Sequence, residues 1–232
     1  MCNSKVYCSC EKDHLKKGMT RLIFILCLLL FVGCAETEVN QSNPQDLYHS
    51  ALEDMEDEQY QVAIERFNEI KNKFAYSKFA VEAKLKIADA YFLQESYGEA
   101  ATSYQNFLDL HPKHEKGEYA RFRLAKSYFE LIPSTVAQDL ADADRALKEY
   151  NVYLTLFPTG QFAEEATKDR DQVRETLAEK EMYIARFYIR EDKTQSALRR
   201  LKKLVELYPD TQFAIEARKL TAELSEEVEK SE

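Results

Sequence analysis

From Leu47 onward the apolar positions recur at spacings of three and four: Leu47, Tyr48, Ala51, Leu52 and Met55, then Val62, Ala63, Phe67 and Ile70. That is the period of amphipathic helices, which present one apolar stripe to a core. Small residues form a second ladder. Ala51, Ala88, Ala125 and Ala185 are followed by Ala63, Ala100, Ala146 and Ala197, at intervals of 12, 12, 21 and 12. Two helices per unit follow, joined by a short turn, with the small residues letting antiparallel backbones approach closely.

The joints between units are also written repeatedly. LYPDTQFAIEA (207–217) echoes LFPTGQFAEEA (156–166), KFAYSKFAVEA (73–83) keeps the second half, and LHPKHEKGEYA (110–120) keeps the Pro and the final Ala. A Pro cannot continue the helix before it, so Pro112, Pro158 and Pro209 end second helices, while Asp210 or Thr211 can accept from the first free N–H groups of the next. The pattern resembles the tetratricopeptide repeat. It predicts an all-α superhelix of about five hairpins. Two departures stand out. The interval of 21 is filled by IPSTVAQDL (132–140), read as a loop inserted in the third unit. The 60 residues from Ala125 to Ala185, against 37 elsewhere, leave 14 more once those nine are subtracted, about four turns. These lengthen the first helix of the fourth unit to about Gln161–Arg190, and residues 211–230 make a closing helix.

Composition agrees with a helical chain: five Gly and five Pro in 232 residues, with 45% hydrophobic residues. Before the first unit stands RLIFILCLLLFVG (21–33), an apolar run behind Lys16, Lys17 and Arg21 that is too short to span a bilayer comfortably and reads as a signal peptide. It ends on Gly33–Cys34, similar to the lipobox of bacterial lipoproteins, with Phe31 where Leu is usual. Residues 1–33 are therefore expected to be removed and Cys34 to be lipidated. MTRLIFIL at Met19 would start such a signal unaided, so residues 1–18 read as a start assigned too early. Residues 34–44 form a tether, and 45–232 the repeat domain.

Removing the 5 basic and 2 acidic residues of 1–33 from the 32 and 41 of the whole chain leaves 27 and 39, a net charge of −12. That argues against nucleic acid and bare anionic membrane surface as partners. The mature chain has no cysteine after Cys34, hence no disulfide. Cys2, Cys8, Cys10 and His14 lack metal-ligand spacing. His111 and His114 have no third ligand in sequence, and neither an H-E-x-x-H, a phosphate-cradling loop nor a nucleophile elbow occurs. No catalytic, metal or cofactor site is expected.

Lipobox, tether, hairpins, insertion, long helix and the segment FPTGQFAEEATKDRDQVRETLAEKEMYIARFYIREDKTQSALRRLKKLVELYPDTQ together resemble the BamD family of outer-membrane-protein assembly lipoproteins, most specifically in 156–213. The resemblance implies a non-catalytic scaffold on the periplasmic face of the outer membrane. Its partners would be a POTRA domain of a BamA-like barrel protein, the other Bam lipoproteins and unfolded barrel substrates. Ala35, in place of Asp after the lipidated Cys, agrees with the outer membrane. The residue matching a BamA-contacting basic position is Arg200, although a solvated basic face shared with Arg199, Lys202 and Lys203 accounts for it equally well. Residues three before, one after and four after the first three ladder alanines point to an inner wall: Tyr48, Leu52 and Met55; Leu85, Asp89 and Phe92; Phe122, Lys126 and Phe129. They suit a peptide with aromatic side chains, or else inter-helix core. A pilotin for secretin or pilus assembly, a cell-division coordinator and a soluble chaperone share the lesser features.

Overall fold

Helix ends fall where local chemistry puts them. In the computed structural model, which describes residues 43–231, Asn43 opens the first helix: its side-chain oxygen accepts from Gln45 N at 3.0 Å, and Pro44 takes the first helical position, where a missing N–H is harmless. Nine α-helices follow among the described residues: α1 Pro44–Glu56, α2 Tyr60–Lys73, α3 Lys78–Leu93, α4 Tyr97–Leu110, α5 Gly117–Glu130, α6 Ala141–Leu156, α7 Ala163–Arg190, α8 Thr194–Leu207 and α9 Gln212–Ser231. They make four antiparallel hairpins and one closing helix, which stands for the first half of a fifth unit. Cys34, the signal peptide and the tether to residue 42 lie outside the described residues. The fold starts at Pro44, the last residue assigned to the tether, and α7 starts at Ala163, two residues after the expected Gln161.

Three hairpins turn on three residues whose middle member has positive φ: Glu58 at 60°, Glu95 at 62° and Asp192 at 53°. The residue after each donates back five positions, as Ser96 N does to Tyr91 O at 2.9 Å. This is the glycine-favouring helix C-terminal motif, built here without glycine. The third hairpin instead carries the loop 131–140 between α5 and α6. Its outer carbonyls are held from afar: Lys180 Nζ, on α7, donates to Val136 O at 2.6 Å and Gln138 O at 2.9 Å.

At the four joints the second helix stops on an aromatic or His: Phe74, His111, Phe157 and Tyr208, with φ between −123° and −132°. In the last three a Pro follows, which excludes helical backbone before it. Thr211 closes the fourth joint, accepting from Ala214 N at 3.3 Å and donating to Tyr208 O at 2.8 Å. Gly160 is required in the third. A Cβ there would meet Glu118 Oε1 at 2.2 Å and Tyr153 Oη at 2.8 Å. Those two atoms cap α7: Glu118 accepts from Gln161 N at 2.7 Å, and Tyr153 Oη accepts from Phe162 N at 3.1 Å while donating to Glu118 at 2.9 Å. Glu175 likewise accepts from Gln212 N at 3.0 Å at the start of α9.

All eight ladder alanines are fully buried. Around them lie the plugging side chains Phe67, Tyr104, Tyr150 and Leu201, also fully buried. One core runs through hairpins three and four into α9, with Phe122, Tyr150, Val173, Met182 and Leu204; a second joins hairpins two and three through Leu85, Tyr104, Phe107 and Leu124. No helix among the described residues is long and apolar enough to cross a membrane.

Candidate functional site

The inner-wall positions divide according to what the next hairpin offers them. Tyr48 is half-buried, its ring 5.5 Å from Phe67 and 5.4 Å from Phe79; Leu52 and Met55 on the same helix are partly exposed. Phe92 is also partly exposed, edge-on to Tyr97 and covered by the Arg123 guanidinium 3.5 Å from its centroid. Phe129 stands edge-on to Tyr150 with the Lys126 ammonium 4.8 Å above it.

Leu85, Asp89 and Phe122 correct the expectation of an open wall. They are 4%, 6% and 3% exposed, so they serve the core between hairpins. Phe122 stacks on Phe162 at 4.6 Å, an aromatic from the following joint. Asp89 collects three donors: Tyr104 Oη at 2.7 Å, Tyr119 Oη at 2.9 Å and Lys86 Nζ at 3.1 Å. Burial, with the charge of Asp89, pushes the Tyr104 phenol far above its ordinary range and that of Tyr119 up to about 12. Both phenols therefore stay donors. Leu85 and Asp89 reach only the floor of a cleft of about 580 Å³, whose walls include Lys86, Glu118, Tyr119 and Phe162.

Lys126 follows the same logic. It pairs with Asp169 at 2.8 Å, which also accepts from Tyr150 Oη at 2.8 Å, and with Glu165 and Glu130 at 3.5 and 3.8 Å. Burial pulls the ammonium down, but the bond to Asp169 and the three carboxylates outweigh it and raise its pKa. On α7 the equivalent residue is Arg186, whose guanidinium grips both oxygens of Glu216 at 2.7 and 2.9 Å. The position after the ladder Ala is thus a latch to the next hairpin in three units out of four.

Arg200 lies on α8 and pairs with Glu181 of α7 at 3.1 Å, sharing that carboxylate with Lys203 at 2.6 Å. Its side chain is 36% exposed, so the guanidinium still has an open side. Close by in sequence, α7 exposes an aromatic pair that the register rule passed over: Tyr183 and Phe187, 46% and 44% exposed. Four residues apart, they share a helix face. The signal lay in MYIARFYIR, where the aromatics outnumber what one buried stripe can hold. His111 and His114 pack on Phe107 at 5.4 and 5.1 Å, and His114 Nδ1 accepts from Lys116 N, so both rings serve the joint.

A family model described as YfiO, outer membrane lipoprotein, matches residues 40–230. Relatives named outer membrane protein assembly factor BamD include one from Caulobacter vibrioides, 28% identical over 219 residues, which cover 89% of this chain and 72% of the relative. One from Rickettsia prowazekii is 29% identical over 171 residues, 74% of this chain and 68% of its own. One from Vibrio cholerae is 23% identical over 202 residues, 82% and 83% respectively. Among solved structures, a tetratricopeptide-repeat protein of Thermus thermophilus aligns at 14% identity with a TM-score of 0.39, over 78% of this chain and 98% of its own.

Proposed function

Because the chain belongs to the YfiO family of outer-membrane lipoproteins, we propose that it works as a lipid-anchored scaffold that couples a barrel-assembly protein to unfolded barrel substrates. It is an outer-membrane-protein assembly factor of the Bam complex, a role carried by the relatives of that name together with the family match over 40–230, which spans every helix from α1 to α9 almost to its end. The finer assignments rest on the geometry. Cys34 carries the covalent lipid and holds the domain at the periplasmic face. Helices α7 and α8 dock on a POTRA domain of a BamA-like partner: Arg200 of α8 offers the open side of its guanidinium to a carboxylate, and the exposed Tyr183 and Phe187 of α7 supply apolar area. The partly exposed set Tyr48, Leu52, Met55, Phe92, Lys126 and Phe129 receives an extended segment of the substrate, while Leu85, Asp89 and Phe122 support it from behind. Binding and positioning are its work, with no bond made or broken.

Titration against the POTRA domains of the host's own barrel-assembly protein tests the docking face. Arg200→Glu and Tyr183→Ala are each expected to weaken binding at least tenfold, the loss of roughly 1.4 kcal/mol or more, with unfolding midpoints close to wild type. Undiminished binding by both variants would remove α7 and α8 from the interface, and no binding by wild type would remove the POTRA partner.

A further inference from the structure

Charge is distributed unevenly along the edge where the hairpins are joined. At the first two joints, residues 73–78 and 109–116, four exposed lysines (Lys73, Lys78, Lys113 and Lys116) face two exposed acids, Asp109 and Glu115. At the last two, 156–165 and 206–212, the exposed charges are Glu164, Glu165, Glu206 and Asp210, all negative. In a mature chain of net charge −12, the basic end is the one nearest the tether. Lys73 holds Glu69 at 2.6 Å yet keeps 58% of its side chain exposed, and the Lys78 ammonium lies 5.1 Å above the Phe79 ring. Between them Tyr76 is fully exposed, at 106%. An aromatic with a hydroxyl, projecting between two lysines, is the composition that settles at a bilayer interface.

Geometry brings the tether to the same edge. Helices α1 and α2 are antiparallel, so the start of α1 lies beside the end of α2, and Tyr48 touches Phe79 just beyond the first joint. Cys34 precedes Asn43 by nine residues, a chain that reaches roughly 30 Å at full extension. Resting on the reading of Cys34 as the lipidated residue, we propose that the first joint lies on the anionic phosphate headgroups of the membrane, with Lys73 and Lys78 facing phosphates and Tyr76 at the interface. The domain is thereby oriented and not merely tethered. The net negative charge forbids capture from solution, but a tethered joint meets the headgroups at high effective concentration, where a few lysines suffice.

The chain contains no Trp, so Tyr76→Trp gives a single reporter, and Leu93→Trp, 47% exposed at the far end of α3, gives its control. The full lipidated protein is placed on phosphatidylglycerol-containing vesicles whose lipids are spin-labelled at the headgroup. The Trp at 76 should lose the larger part of its fluorescence and the one at 93 should not. Adding Lys73→Glu and Lys78→Glu, or using phosphatidylcholine alone, should restore emission while the protein still floats with the vesicles. Equal quenching at 76 and 93 in floating protein overturns the orientation and leaves the anchor intact. Protein that fails to float overturns the anchor, and the proposal with it.

Discussion

Removing the carboxylate of Asp89 should unbalance three partners at once. Tyr104 is fully buried and donates to Asp89 at 2.7 Å, and Tyr119, partly buried, donates at 2.9 Å. Hydrogen bonds to a charged group are worth about 1.5–3 kcal/mol, and a buried donor left unpaired costs about 1–3 kcal/mol. Asp89→Ala should therefore destabilise by roughly 3 kcal/mol, with Tyr104 supplying most of it and Tyr119 less, since water can reach the latter. The discriminating measurement is a double-mutant cycle in urea, followed by far-UV circular dichroism. Tyr104→Phe removes the hydroxyl; in the wild-type background it forfeits a bond, whereas after Asp89→Ala it relieves an orphan. Its effect should thus change sign or vanish, a coupling of about 1–2 kcal/mol. The same cost for Tyr104→Phe in both backgrounds would mean that the buried phenol does not depend on Asp89, and the latch account of this position would fail.

Ala100 is fully buried against Leu85, Ala88 and Tyr104, so Ala100→Leu should overpack the hairpin crossing and lower stability by about 1–3 kcal/mol in a urea melt. Glu95→Gly and Asp192→Gly should each raise it by up to about 1 kcal/mol, because relief of the positive φ outweighs the added freedom of the unfolded chain; a loss would contradict the turn geometry. Folding favours the neutral phenols of Tyr48, Tyr119 and Tyr153, whose pKa values burial, first of all, pushes up to about 12 from 10. Their contribution is present in full below pH 10 and disappears as pH rises through about 12. The phenolate absorbance of folded protein should accordingly appear late, and stability should fall across that window.

Much of the architecture was legible because it is local. The three-and-four spacing, the paired alanines and the Pro after an aromatic or His each act within a turn or two of helix, and they set all four hairpins and the closing helix. What the wall residues do was less legible. Asp89, Lys126 and Arg186 find Tyr119, Asp169 and Glu216, which lie 30, 43 and 30 residues away, and no periodicity announces such pairs. A rule giving the direction of a side chain cannot say whether the next hairpin will cover it. The insertion and the long helix looked like separate departures from the repeat; Lys180, reaching from α7 to the carbonyls of Val136 and Gln138, makes them one adaptation. Tyr183 and Phe187 escaped because the wall positions were counted only from the first three ladder alanines, and the same rule applied to Ala185 selects 182, 186 and 189 instead.

The carboxylates that begin α7 and α9 belong to the helices one hairpin earlier: Glu118 on α5 and Glu175 on α7. A helix start has free N–H groups that must be met from somewhere. In these two units they are met from the N-terminal side, by a hairpin that must already be in place. The fold therefore has a direction. Growth from the N-terminal end finds its acceptors waiting, whereas a C-terminal piece begun alone starts with bare donors, so truncations from the two ends should be unequal in what they leave standing. For a chain synthesised from its N-terminus, that is the order in which its parts arrive.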